Sequence, residues 1–230
     1  MLLVARSVRG LPKLRSLRID GCHAVSGRDV LTMCEVRPTL ADLHLAELDT
    51  VTDPIVGLIA AQVSSLRSLD LSWCNRITDE GLALLAPRAA GLERLILRKL
   101  DISSTGVDAL ARHCTSLRTV DLSHCDNVDN ASLLRLVAAS GATLRKLKVA
   151  WLMSIDDATV QQIWTLCPQL EKIDLEGCKR LTSDLLPPPA SLQLLSLVSV
   201  DSVSDGDLEA LVRKRPGLRV VGYYGAAITL

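Results

Sequence analysis

The stretch Leu66-Arg67-Ser68-Leu69-Asp70-Leu71-Ser72-Trp73-Cys74-Asn75-Arg76-Ile77-Thr78-Asp79-Glu80-Gly81-Leu82 changes its hydrophobic period partway along. Leu69 and Leu71 alternate with polar residues, as in a short strand with one buried face. Beyond a turn, Leu82 and Leu85 stand three apart, which is helical spacing. Thr78-Asp79 supplies capping chemistry where the helix begins, and Ser204 with Asp207 three residues later repeats that signal further on. One strand and one short helix cannot bury their apolar faces alone, so the unit has to recur along the chain.

It does recur. Similar Leu-x-x-Leu-x-Leu runs begin at Leu14, Leu40, Leu66, Leu92, Leu117, Leu144, Leu170, Leu192 and Leu218, in steps of 26, 26, 26, 25, 27, 26, 22 and 26 residues. The spacing predicts a single α/β domain over residues 1–230, a solenoid of roughly eight and a half coils. Parallel strands would line its concave inner wall and helices its convex outer wall, as a horseshoe arc. The coil over residues 170–191 is shortened. It carries Asp184-Leu185-Leu186-Pro187-Pro188-Pro189 where the others carry a helix, and three prolines cannot continue one. A gap in the outer wall is expected there, beside Gln161 and Trp164.

The composition agrees with thin, similar layers. The chain has 44 Leu and no Phe, and aromatics make up only 2%, so no layer is built around a large ring. Charges balance at 26 basic and 26 acidic residues, which argues against nucleic acid or an anionic membrane as the partner. No apolar run is long enough to span a bilayer. The first nineteen residues hold Arg and no acid, faintly like a presequence, yet Leu11, Leu14, Leu17 and Ile19 already belong to the repeat. Seven Cys without a CxxC read as free thiols in a reducing, intracellular setting.

The position eight residues after each start reads Cys22, Leu48, Cys74, Leu100, Cys125, Leu152, Cys178, Val200 and Ala226. It turns inward, where a small group fits and a thiol can serve turn carbonyls as a weak donor. Cys34, Cys114 and Cys167 end helices, so every Cys has a packing role.

Residues 66–82, 117–125 and 170–182 resemble the cysteine-containing leucine-rich repeat of F-box/leucine-rich-repeat proteins. Three departures stand out. No F-box segment precedes the first strand near residue 14, Leu replaces Cys in alternate coils, and one coil is short. The resemblance implies a leucine-rich-repeat fold and a non-enzymatic protein-interaction scaffold or adaptor. Relatives include leucine-rich-repeat subunits of the ciliary nexin–dynein regulatory complex, as well as mitochondrial accessory factors. The favoured expectation is a structural subunit of a large intracellular assembly such as the ciliary axoneme. The alternative is the substrate-recognition module of a cullin-type (SCF) ubiquitin ligase whose F-box is missing from this chain.

No phosphate-cradling, zincin or nucleophile-elbow motif occurs, so no catalytic, cofactor or metal site is expected. His113-Cys114 and His124-Cys125 are the nearest thing to a metal set, but Cys114 should face the core and Cys125 the inner turn. Asn130-Ala131-Ser132 fits a glycosylation sequon at a place where Asn naturally caps a helix.

Other proteins are the expected partners, and the inner wall is where they would bind. Four residues after each start stand Arg18, His44, Asp70, Ile96, Asp121, Lys148, Asp174, Ser196 and Gly222, alternating in sign. Asp70, Asp121, Lys148 and Asp174 are the contact candidates in this column. The rim position just before the inward turn adds Trp73, Lys99, His124 and Trp151, where aromatics mix with cations as they do in interface hot spots. The ends resemble uncapped coils: Met1-Leu2-Leu3-Val4 at one, and at the other an unfinished coil exposing Tyr223 and Tyr224, either of which could dock another subunit.

Overall fold

A computed structural model describes residues 10–228. Nine three-residue strands pair parallel in chain order: β1 (Ser16–Arg18), β2 (Asp42–His44), β3 (Ser68–Asp70), β4 (Arg94–Ile96), β5 (Thr119–Asp121), β6 (Lys146–Lys148), β7 (Lys172–Asp174), β8 (Leu194–Ser196) and β9 (Arg219–Val221). Helices between them form the other wall: α1 (Gly27–Val36), α2 (Asp53–Gln62), α3 (Asp79–Leu85), α4 (Ser104–His113), α5 (Asn130–Ser140), α6 (Asp157–Leu166) and α7 (Asp205–Lys214). The chain folds as a leucine-rich-repeat α/β solenoid.

The strands are short because only their middle residue needs to face inward. Leu43, Leu69, Leu95, Val120, Leu147, Ile173, Leu195 and Val220 stack there as a buried aliphatic row. Coil-to-coil pairing runs past the strands: Leu97 N–H donates to Asp121 O, and Lys99 N–H to Ser123 O. Three inner-turn thiols add to it. Cys74 Sγ donates to Leu45 O (3.1 Å), Cys125 Sγ to Leu97 O (3.1 Å) and Cys178 Sγ to Val149 O (3.3 Å), each reaching the coil before. Cys34, Cys114 and Cys167 are buried at helix ends. Cys22 departs from the expected pattern and is exposed. No coil precedes it among the described residues to offer a carbonyl.

The helix wall is tied by carboxylates that act across coils. Asp53 accepts from Thr78 N–H and Oγ1, Asp79 from Ser103 N–H and Oγ and from Gly106 N–H, and Asp157 from Thr182 N–H and Oγ1. Each opens its own helix, yet holds the N-cap residue of the next coil. Ser204 and Asp207 form the local cap expected of them.

The expected gap beside the short coil is filled. A 3₁₀ turn, Ser183–Leu185, takes the helix position. Gln161 Nε2 donates to Asp184 O (2.7 Å) and Trp164 Nε1 to Leu185 O (3.0 Å). The prolines leave carbonyls without helical partners, and the Arg215 guanidinium serves those of Pro188, Pro189, Ala190 and Leu192 at 2.8 to 3.0 Å.

The last coil corrects two further expectations. Val221, not Gly222, pairs with Ser196 in the inner-wall column, so the register there slips by one. Gly222 is buried and donates its N–H to Ala226 O (3.1 Å), while Ala226 is exposed. The coil is not left open either. β10 (Ala227–Ile228) turns back antiparallel onto β9 and covers that strand's free side. Met1-Leu2-Leu3-Val4 lie outside the described residues.

Candidate functional site

Trp73, Lys99, His124 and Trp151 share an unusual backbone. Their φ angles are +61°, +59°, +61° and +62°, and Glu47, Ser199, Gly21 and Gly177 occupy the same left-handed position in other coils. The chain needs this turn to swing its next residue, Cys74 or Cys125 for example, into the core. A non-glycine residue there costs about 1 kcal/mol, so six side chains are kept against a glycine preference. A strained position that carries large side chains is where a functional role is worth seeking.

The four candidates are placed differently. Trp73 is 42% exposed and borders a depression of about 380 Å³ with His23, Glu47, Asp49 and Asn75. Lys99 is exposed. Trp151 is half-buried: its indole covers Gly177, its Nε1 donates to Glu176 Oε1 (3.3 Å), and the His124 ring stacks 6.0 Å away at 14°. Arg98 Nη2 approaches His124 Nε2 at 3.4 Å. Burial first, then the Arg98 and Lys99 cations, holds the His124 imidazole below its usual range, so it is neutral near pH 7.

The acidic candidates are largely committed to the turn. Asp70 Oδ1 accepts from Ser72 N–H (3.1 Å) and Oγ (2.6 Å), with His44 Nδ1 3.9 Å from its Oδ2. Asp121 accepts from Ser123 N–H (3.0 Å) and Asp174 from Glu176 N–H (3.2 Å). Asp121 was expected to face outward and is instead 5% exposed. A short carboxylate folds back onto the amide two residues on, and so leaves the surface.

Lys148 is exposed. Lys146 beside it was read from the sequence as basic with it, whereas Lys172, Leu194 and Arg219 were not anticipated. The strand register aligns Arg94, Thr119, Lys146, Lys172, Leu194 and Arg219 as successive partners in one row without an acid. With Lys148, Asp174, Ser196 and Val221 of the adjacent column, the end of this row lines a depression of about 290 Å³ on the inner wall. No ion pair engages Lys146, Lys148, Lys172 or Arg219 among the described residues. At the end of the arc, Tyr223 and Tyr224 pack edge to face with centroids 4.9 Å apart, and Tyr224 is 87% exposed.

Burial pushes the thiols of Cys34, Cys114, Cys125, Cys167 and Cys178 up to about 12, and that of Cys74 to about 11. Cys74, Cys125 and Cys178 donate hydrogen bonds and Cys34, Cys114 and Cys167 are buried at helix ends, and burial favours the protonated thiol in all six. Asp129, not Asn130, is the N-cap of α5, and Asn130 Nδ2 is spent on Ser154 O (2.9 Å). Among the described residues, no cluster of three or more His, Cys, Asp or Glu is placed to hold a metal ion. No helix among them is long and apolar enough to cross a membrane. Sequence reasoning missed Lys172, Leu194 and Arg219 because it followed one column. It missed the left-handed rim although Gly21 and Gly177, in the same position, were a visible signal.

The model of the leucine-rich repeat matches residues 64–86 and 113–137. F-box/LRR-repeat protein 4 of Bos taurus is 25% identical over 179 residues, or 75% of this chain. The chain spans 29% of the length of that relative. Among solved structures, that of the yeast Rad7 and Elc1 complex is similar with a TM-score of 0.58 at 16% identity, covering 96% of this chain and 70% of that one. The TLR13–ssRNA13 complex gives 0.54 at 16% identity, with 93% and 33% covered. At such identities both likenesses concern the fold.

Proposed function

We propose that this chain, a leucine-rich-repeat solenoid of the cysteine-containing type, is a non-enzymatic protein-interaction module of an intracellular assembly. One observation carries the reading: the inner wall from β6 to β9 sets exposed cations, which have no ion pair among the described residues, beside half-buried aliphatics. Partner contacts would centre on Lys148 and Asp174 and extend along the rim through Trp73, Lys99, His124 and Trp151. Asp70 and Asp121 serve as turn supports, and Tyr223 and Tyr224 form a separate contact at the end of the arc.

Two placements follow from this reading. The first is a structural subunit of a large assembly such as the ciliary axoneme. The second, substrate recognition within an SCF ubiquitin ligase, is favoured by the relative named F-box/LRR-repeat protein 4. Affinity capture of the full chain under mild conditions, followed by mass spectrometry, tests both. A stoichiometric complex holding a cullin and its adaptor supports the second placement, and a stable complex without them supports the first. A chain that captures no partner overturns the reading.

A further inference from the structure

We infer that the inner wall from β6 to β9 takes an extended acidic peptide segment, two carboxylates flanking an aliphatic side chain. The inference rests on the reading of the chain as a protein-interaction module and names the chemistry of its partner. Lys146, Lys172 and Arg219 come from one register-aligned row, and Lys148 stands beside Lys146 on the same strand. All four are exposed, and among the described residues none has an ion pair. Against them stands one lining carboxylate, Asp174, which already accepts from Glu176 N–H. Four cations facing one committed acid call for negative charge from outside.

The floor of the depression is apolar. Leu194 replaces a cation in the row between Lys172 and Arg219, and Val221 lies beside it, both half-buried. A volume of about 290 Å³ admits one or two side chains and not a folded domain. Neighbouring parallel strands lie about 4.8 Å apart, so Lys172 and Arg219, two strands apart, are about 10 Å from each other across Leu194. An extended segment repeats side chains on one face about every 7 Å. An aliphatic side chain over Leu194 therefore places flanking carboxylates within reach of both long cations. Nucleic acid fits less well. No aromatic side chain lines the depression for a base to stack on, and Asp174 interrupts the path of a continuous polyanion.

The test is a selection of random peptides displayed on phage against the immobilised full chain. Selected peptides are then made synthetically and their affinity measured by fluorescence anisotropy. The expected consensus is acid, aliphatic, acid. Its affinity falls about tenfold or more in Lys148→Glu/Lys172→Glu and stays unchanged in Lys13→Glu, which alters an exposed lysine far from the site. An unchanged urea midpoint shows that the double variant folds. The inference is overturned by selected peptides lacking acids, by an affinity the double variant retains, by an empty selection, or by a single-stranded RNA oligonucleotide that binds as tightly and displaces the peptide. Peptides that crosslink only to the helix wall sink it while leaving the interaction reading intact. That reading falls only if full-chain capture yields no partner.

Discussion

The indole of Trp151 covers Gly177 so closely that a methyl group on that glycine would lie 2.5 Å from Cδ2 of the ring. Gly177 also has φ +68°. Gly177→Ala therefore meets both backbone strain and a clash, and is expected to cost about 2–3 kcal/mol in urea unfolding. Gly217→Ala, with nothing within 4 Å of the added carbon, should stay within about 0.5 kcal/mol of wild type. Equal effects of the two substitutions would show that Trp151 is not seated on Gly177.

Trp73 separates stability from binding. It is 42% exposed at φ +61°, where glycine is preferred. Trp73→Gly should leave stability unchanged or raise it by up to about 1 kcal/mol, while partner affinity falls. A large drop in the urea midpoint would instead make Trp73 a packing residue of its turn.

The thiols set an alkaline limit. In the folded chain Cys34, Cys114, Cys125, Cys167 and Cys178 are pushed up to about 12 and Cys74 to about 11, from an ordinary 9. Below pH 9 both folded and unfolded thiols are protonated, so the thiol contribution to stability is flat. Above it only the unfolded chain ionises, and stability falls by about 1.4 kcal/mol per thiol per pH unit until the folded thiols ionise too. Urea midpoints measured from pH 7 to 10.5 should bend downward near 9, and less steeply in Cys114→Ala. Native alkylation at pH 8 should modify Cys22 alone.

Asp79 holds the neighbouring coil through Ser103 N–H and Oγ and Gly106 N–H. Asp79→Ala leaves those donors without their acceptor and should cost about 2 kcal/mol, against less than about 0.5 kcal/mol for the exposed Glu80→Ala. Similar losses from both would assign the effect to the helix start itself.

The Leu starts carried the fold in the sequence because each coil asks for the same inward aliphatic. Leu69, Val120 and Ile173 can be read without knowing any contact. Three places could not be read that way. Arg215 satisfies proline carbonyls 23 to 27 residues before it, a spacing with no local signature. Val221 takes the column expected for Gly222 because the chain turns back into β10. Asp121 sits in an outward column, yet bonds its own turn and is buried. The rim candidates were legible as exposed or half-exposed side chains, and the one signal of their shared left-handed backbone was the glycine at Gly21 and Gly177. The cationic depression arises from two adjacent columns; the sequence showed Lys146 and Lys148 as one locally basic coil, but not that Lys172 and Arg219 align with Lys146 across the strands.

Hydrogen exchange of the full chain, free and bound to its captured partner, tests the interaction surface most directly. Slowed exchange should concentrate in residues 146–152, 172–178, 194–199 and 219–223, which carry β6 to β9 and the turns leaving them. The helices α1 to α7 should be unchanged. Slowing confined to those helices, with the inner wall exchanging as in the free chain, would contradict it.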